Sequence, residues 1–278
     1  MTLASAVAPR NLRLDPRLAL VALAAAAVAA PTSSALAQAG TTPVHARRGA
    51  PDPAPDLIRV VVNASFWPVS TSFSDSQAFT EYAEETTLRT SYEAGTAFGP
   101  DVAVQVSLLR GFGLLVGYSY AGRDVTGEVE VSRPHPLYLD RPRRASSEIS
   151  GYDLAEAAVH VDLAYARVAG HVDWALFAGA TFFQVEADLL GKPTYDDVYP
   201  YDELVVASTP STTVKESPTG FNVGGRLDYR FGRSRRFGAG VQVLYSMAEV
   251  KLKAGRDATE ARFDVGGLSV GAGLRVYF

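Results

Sequence analysis

From residue 58 to the end of the chain, apolar and polar positions alternate with a period of two. That is the repeat of a β-strand whose two faces meet different surroundings. The closing segment shows it most clearly. Leu268, Val270, Ala272, Leu274, Val276 and Phe278 hold one parity, and Ser269, Gly271, Gly273, Arg275 and Tyr277 hold the other. Phe221, Val223, Gly225, Leu227, Tyr229 and Phe231 alternate in the same way with Asn222, Gly224, Arg226, Asp228 and Arg230. Asp153 to Ala169 fits a helical stripe through Leu154, Ala157, Ala158, Val161 and Tyr165, and it fits alternation equally well.

Cutting the pattern at its breaks gives eight strands, roughly 58–81, 87–109, 112–132, 151–168, 172–189, 213–231, 237–253 and 261–278. Dividing the first two at Pro68 and Pro100 gives ten instead. Short breaks near Arg110-Gly111, Ala169-Gly170 and 232–236 alternate with long polar ones, above all at 132–151 and 190–217. The prediction is an all-β fold: a closed antiparallel up-and-down barrel with unlike ends, whose strands cross a membrane.

The membrane enters because the parity opposite the apolar one is small or charged, which suits a narrow wet lumen better than an apolar core. Glu93, Asp101, Glu156, His160, Asp162, Arg226, Asp228, Arg230 and Arg275 are the residues expected to line it. Two aromatic girdles are expected on the lipid face. Phe112, Tyr165, Trp174, Tyr229, Phe231, Phe237 and Phe278 lie near the short-turn end. Tyr92, Tyr120, Phe182, Phe221, Tyr245 and Phe263 lie some residues away along the strands. At ~3.3 Å per residue and ~40° tilt, that separation is ~20–25 Å, near the height of the apolar band of such barrels.

The first residues are of a different kind. Arg10, Arg13 and Arg17 precede an apolar run of 13 residues, Leu18 to Ala30. Ala35-Leu36-Ala37 follows as an A-x-A cleavage site, and the whole reads as a secretory signal peptide over 1–37. Residues 38–56, with Pro43, Pro51, Pro53 and Pro55, read as a flexible periplasmic tether before the barrel domain at 57–278. The chain has no cysteine, which removes disulfides and thiolate sites, and its net charge of −4 gives no reason to expect a nucleic-acid partner.

The A-x-A leader, the alternating strands and the ending Gly271-Ala272-Gly273-Leu274-Arg275-Val276-Tyr277-Phe278 resemble the small outer-membrane β-barrels of Gram-negative bacteria, of the OmpA/OmpX/OmpW type. The resemblance implies export to the outer membrane, contact with outer-membrane lipid and lipopolysaccharide, and a monomer. It also implies that Leu274, Val276 and Phe278 are the signal read by the barrel-assembly machinery.

The chemistry in the sequence is sparse. Arg226, Asp228 and Arg230 stack along one wall, either as a plug or as a selectivity constriction. His160 and Asp162 suggest a hydrolase but lack a marked nucleophile. His135, between two prolines, reads as a turn element. His45, His160 and His171 lack zinc-ligand spacing, and the acidic run Asp196, Asp197, Asp202 and Glu203 lacks that of an EF-hand. No catalytic residue, metal or cofactor is therefore expected. The expected function is a non-enzymatic structural or surface-interaction role over a side-chain-filled lumen. The alternatives are a narrow porin-like channel and, behind it, an outer-membrane lipid-modifying enzyme or protease.

Overall fold

A computed structural model describes residues 56–253 and 259–278. The expected signal peptide and all but the last residue of the expected tether lie outside the described residues. The strands are β1 (Ile58–Trp67), β2 (Thr71–Glu81), β3 (Glu84–Ala94), β4 (Ala97–Leu109), β5 (Phe112–Arg133), β6 (Arg143–Ala169), β7 (Val172–Leu190), β8 (Thr194–Asp196), β9 (Val205–Ser208), β10 (Ser211–Glu216), β11 (Thr219–Phe231), β12 (Phe237–Leu252) and β13 (Ala261–Tyr277). Every pairing is antiparallel. Eight strands form a ring, β1-β4-β5-β6-β7-β11-β12-β13, and the ring closes where Val60 pairs with Val276.

The eight-strand count holds, but the first two strands are composed differently from the sequence reading. Each is cut in two, leaving β2 and β3 as a hairpin outside the ring, with β3 paired to the far half of β5. The first cut lies at Pro68. The second lies at Gly95-Thr96, because Pro100 sits inside β4 opposite Ala64. The expected break at 132–151 shrinks to 134–142, since β5 and β6 keep pairing up to Arg133 and Arg143. The expected break at 190–217 contains β8, β9 and β10.

The ring spans only the lower part of the molecule. β5 and β6 are 22 and 27 residues long. At ~3.3 Å per residue and ~40° tilt, β5 alone rises ~55 Å, about twice the apolar band of a membrane barrel. Around the ring the outward positions are large and apolar: Val62, Phe98, Val102, Leu114, Leu163, Leu176, Leu227, Val241 and Leu274 all face away from the interior, Leu163 at 62% exposure and Leu274 at 64%. Water-soluble monomers seldom leave more than a few hundred Å² of contiguous apolar surface bare. This surface runs round the whole ring, so its solvent is lipid.

Above the ring the arrangement reverses. β2, β3 and β10 join the extended halves of β5, β6, β7, β12 and β13 around an apolar core that includes Leu88, Tyr92, Val125, Val129, Ile149, Leu154, Phe183, Val185, Leu189, Leu252 and Phe263. The outward positions there are Arg89, Asp124, Glu128, Glu130, Glu148, Glu249, Lys251, Arg262 and Asp264.

Candidate functional site

The interior of the ring is built in layers. At the floor Arg59 and Arg230 both reach Asp173, and Arg230 also binds Asp56 just before β1. The Arg230 guanidinium lies 3.8 Å from the centre of the Tyr277 ring. Above it, Arg275 Nε donates to Asp228 Oδ1 at 2.7 Å and Arg275 Nη1 to Asn63 at 2.7 Å. Arg226 pairs with Asp228 at 3.4 Å and binds Gln105. Asp101 accepts from Gln242 at 2.8 Å. Next come Ser119, His160 and Thr181, with His160 Nε2 3.0 Å from Ser119 Oγ and Nδ1 2.9 Å from Thr181 Oγ1. Asn222 links this layer to Asp162 at 2.7 Å. The topmost polar layer is a collar. Arg123 pairs with Glu156 at 3.3 Å, Glu156 accepts the Gly266 N–H at 3.0 Å, and Arg123 donates to the Val69 carbonyl at 2.8 Å. Gly266 and Gly267 both have positive φ, +93° and +87°, a backbone that only glycine adopts without strain. It is at this pair that β13 passes the collar, and the Gly266 amide is the one that meets Glu156.

Between the charged layers lie apolar side chains. Phe177 packs over Gly224, where a Cβ would collide with its ring. A cavity here, lined by residues including Asp101, Leu115, His160, Asp162, Phe177 and Gln242, has a volume of about 10 Å³. That is room for one water at most.

Among the residues expected in the lumen, Asp101, Glu156, His160, Asp162, Arg226, Asp228, Arg230 and Arg275 are buried inside the ring. Glu93 is not. It lies exposed on the outer face of β3, because Gly95 and Thr96 are two consecutive outward residues and reverse the parity between β3 and β4. The same reversal corrects Tyr92, which is buried in the upper core where its hydroxyl donates to Asp75 at 3.3 Å. Phe263 is also inside, stacked on Phe73 at 4.3 Å, because it shares its parity with inward Ser269 and Arg275. The other girdle residues face outward. Phe112, Tyr165, Trp174, Tyr229, Phe231 and Phe237 ring the lower rim, and Tyr120, Phe182, Phe221 and Tyr245 lie higher. Leu274, Val276 and Phe278 point away from the interior, Phe278 at 67% exposure.

The sequence reading missed a second polar cluster at the far end, the crown. Arg133 pairs with Glu81 at 2.6 Å and Asp197 at 2.5 Å, and Arg143 with Asp197 at 2.7 Å. The Arg133 guanidinium lies 4.8 Å from the Tyr195 ring centre and 5.6 Å from that of Tyr82. Asp140 N–H donates to Glu84 at 2.9 Å, and Arg141 pairs with Asp202 at 3.4 Å. These contacts tie three tips, at 82–83, 134–142 and 191–204, into one unit. Burial opposes ionisation of Asp197, but hydrogen bonds from Arg143 and Arg133 outweigh it and hold the carboxyl below its ordinary range. Burial, with the negative charge of Glu81, pushes the Tyr195 hydroxyl up to about 12. His135 is buried, its Nδ1 accepting the Leu137 N–H at 3.1 Å. The acidic run divides: Asp197 is committed to the two arginines, while Asp196 and Glu203 face solvent. Among the described residues no three His, Asp or Glu side chains are placed to hold a metal.

No family model and no curated protein matches this sequence. Solved outer-membrane barrels do match its structure. Neisserial surface protein A is 11% identical, with 79% of this chain and 99% of that one covered at a TM-score of 0.38. OprG of Pseudomonas aeruginosa is 13% identical, covering 81% and 97% at 0.45. The outer-membrane protease OmpT of Escherichia coli is 10% identical, covering 81% and 97% at 0.41. At such distances the likeness concerns strand arrangement alone.

Proposed function

We propose that this is a surface protein of the Gram-negative outer membrane, held there by a closed barrel and acting through its crown without catalysis. The observation that carries the reading is the filled interior. Ion pairs, Phe177 and then a continuous apolar core occupy the axis from floor to crown, and the mid-barrel cavity is about 10 Å³. An eight-stranded barrel has room for its own side chains and little else. A hydrolase built on His160 is disfavoured by its position, between Ser119 and Thr181 and beneath the collar and core. The crown, in contrast, is exposed at its tips and braced at its base, as an interaction surface needs.

In this reading the protein is a monomer in contact with outer-membrane lipid and lipopolysaccharide. Leu274, Val276 and Phe278 serve as the assembly signal during insertion. Planar-bilayer recording tests the closed lumen: the expected trace shows no stable conducting level. A steady porin-sized conductance would replace this reading with the channel.

A further inference from the structure

The crown carries an apolar surface that its own fold leaves uncovered. Leu137, Tyr138 and Leu139 on one tip, and Val198 and Tyr199 on the next, are each more than half exposed. They are not floppy ends of the chain. Their bases are held by Arg133, Arg143 and Asp197, and the Tyr138 ring packs at a tilt against buried His135, 4.9 Å between centroids. Pre-ordered apolar anchors inside a polar rim are the anatomy of a protein-binding surface.

The rim has a sign. Residues 81–85, 133–144 and 192–203 hold eight acidic side chains against five basic, which leaves −3. Most of that positive charge is already committed: Arg133 and Arg143 to Glu81 and Asp197, and Arg141 to Asp202. Glu85, Asp140, Asp196 and Glu203 enter no ion pair among the described residues, and all four face solvent. Like charge across an interface is costly, so an anionic lipid surface or a second copy of this chain fits this rim poorly.

We propose that the crown docks a cationic amphipathic protein segment. The partner's apolar side chains seat on the Leu137–Leu139 and Val198–Tyr199 knuckles, and its lysines or arginines meet the acidic rim. The inference rests on the reading of the crown as the working part of the protein, and names the partner's chemistry.

The test uses the full chain in nanodiscs of zwitterionic lipid. The probe is a labelled Lys/Leu amphipathic helix. A charge-reversed Glu/Leu helix, a scrambled Lys/Leu peptide without an apolar face, and empty nanodiscs complete the set. The Lys/Leu helix is expected to bind saturably and to weaken about tenfold between about 50 and 300 mM salt. It is expected to weaken about tenfold in Leu139→Ser/Tyr199→Ser, and about as much in Asp140→Asn/Asp196→Asn/Glu203→Gln. These positions are exposed, and heat-modifiable gel mobility reports whether each variant keeps its barrel. Binding equal to that of empty nanodiscs, or unchanged in both variants, overturns the proposal. Preference for the Glu/Leu helix, lost in Leu139→Ser/Tyr199→Ser, overturns the cationic partner but leaves the crown a docking surface. Self-association lost in the same variant puts a second copy in the partner's place. A conducting channel in the bilayer assay instead removes the underlying reading itself.

Discussion

The two halves of this barrel are built on opposite solvent logic along the same strands. In the lower half of β5 the outward residues are Phe112, Leu114, Val116, Tyr118 and Tyr120. In the upper half they are Asp124, Thr126, Glu128 and Glu130. Inward, Ser119 gives way to Arg123 at the collar and then to Val125, Val129 and Val131. The side-chain parity of β5 does not change; odd positions face inward throughout. What changes is which face is wet. Strand geometry decides where a residue points, and the surroundings decide what residue belongs there. The switch falls at Arg123 and Glu156, the last polar layer below the core.

Placing arginine in each half measures the contrast. Leu88→Arg buries an unpaired guanidinium in the upper core and should cost more than about 4 kcal/mol. The expected outcome is protease cleavage above the membrane while the lower ring keeps its heat-modifiable mobility. Simultaneous loss of both halves would show that they fold as one unit. In the lower half, Asp228→Ala strands Arg275 and Arg226 and should cost about 3–5 kcal/mol in urea unfolding. A smaller cost, about 2–4 kcal/mol, is expected for Val241→Arg at mid-depth on the lipid face. If Val241→Arg proves neutral, that surface is not in lipid.

The crown gives the smallest effect and the only one tied to pH. Asp197 has a depressed folded pKa, so its pairs with Arg133 and Arg143 contribute fully above the ordinary carboxylate value near ~4. That contribution fades as pH falls through the lower, folded value. Solvent reaches this carboxylate, so Asp197→Asn should cost no more than about 1 kcal/mol at neutral pH. The difference from the parent should vanish in acid, as read by proteolysis of the tips. A difference that persists there would assign the effect to packing.

Much of the ring was legible because lipid enforces alternation on every strand it touches. The errors cluster where that pressure ends. Tyr92 and Glu93 exchanged faces because the sequence shows no strong break at Gly95-Thr96; neither residue is proline, and the apolar pattern runs on past them. Phe263 drew attention as an aromatic at girdle height, although its neighbours Arg262 and Asp264 already marked the outward face of a segment in water. The upper core stayed hidden for a related reason. Val125, Val129 and Val131 alternate with charges as any half-buried strand does, and alternation carries no information about which side is wet. The crown was out of reach altogether, since Glu81, Arg133, Arg143 and Asp197 are brought together only by the fold.

The unbroken run of β5 and β6 from the lower rim to the crown has a mechanical consequence. Whatever pulls on the tips pulls along the strands, nearly parallel to the barrel wall. The backbone hydrogen bonds that join this hairpin to β3, β4 and β7 then share the load in shear instead of opening one after another from an end. A tether seized at its crown would pass the force through this hairpin into the lipid-anchored ring, leaving the short hairpin of β2 and β3 and the β8–β9 ribbon as the first parts to yield.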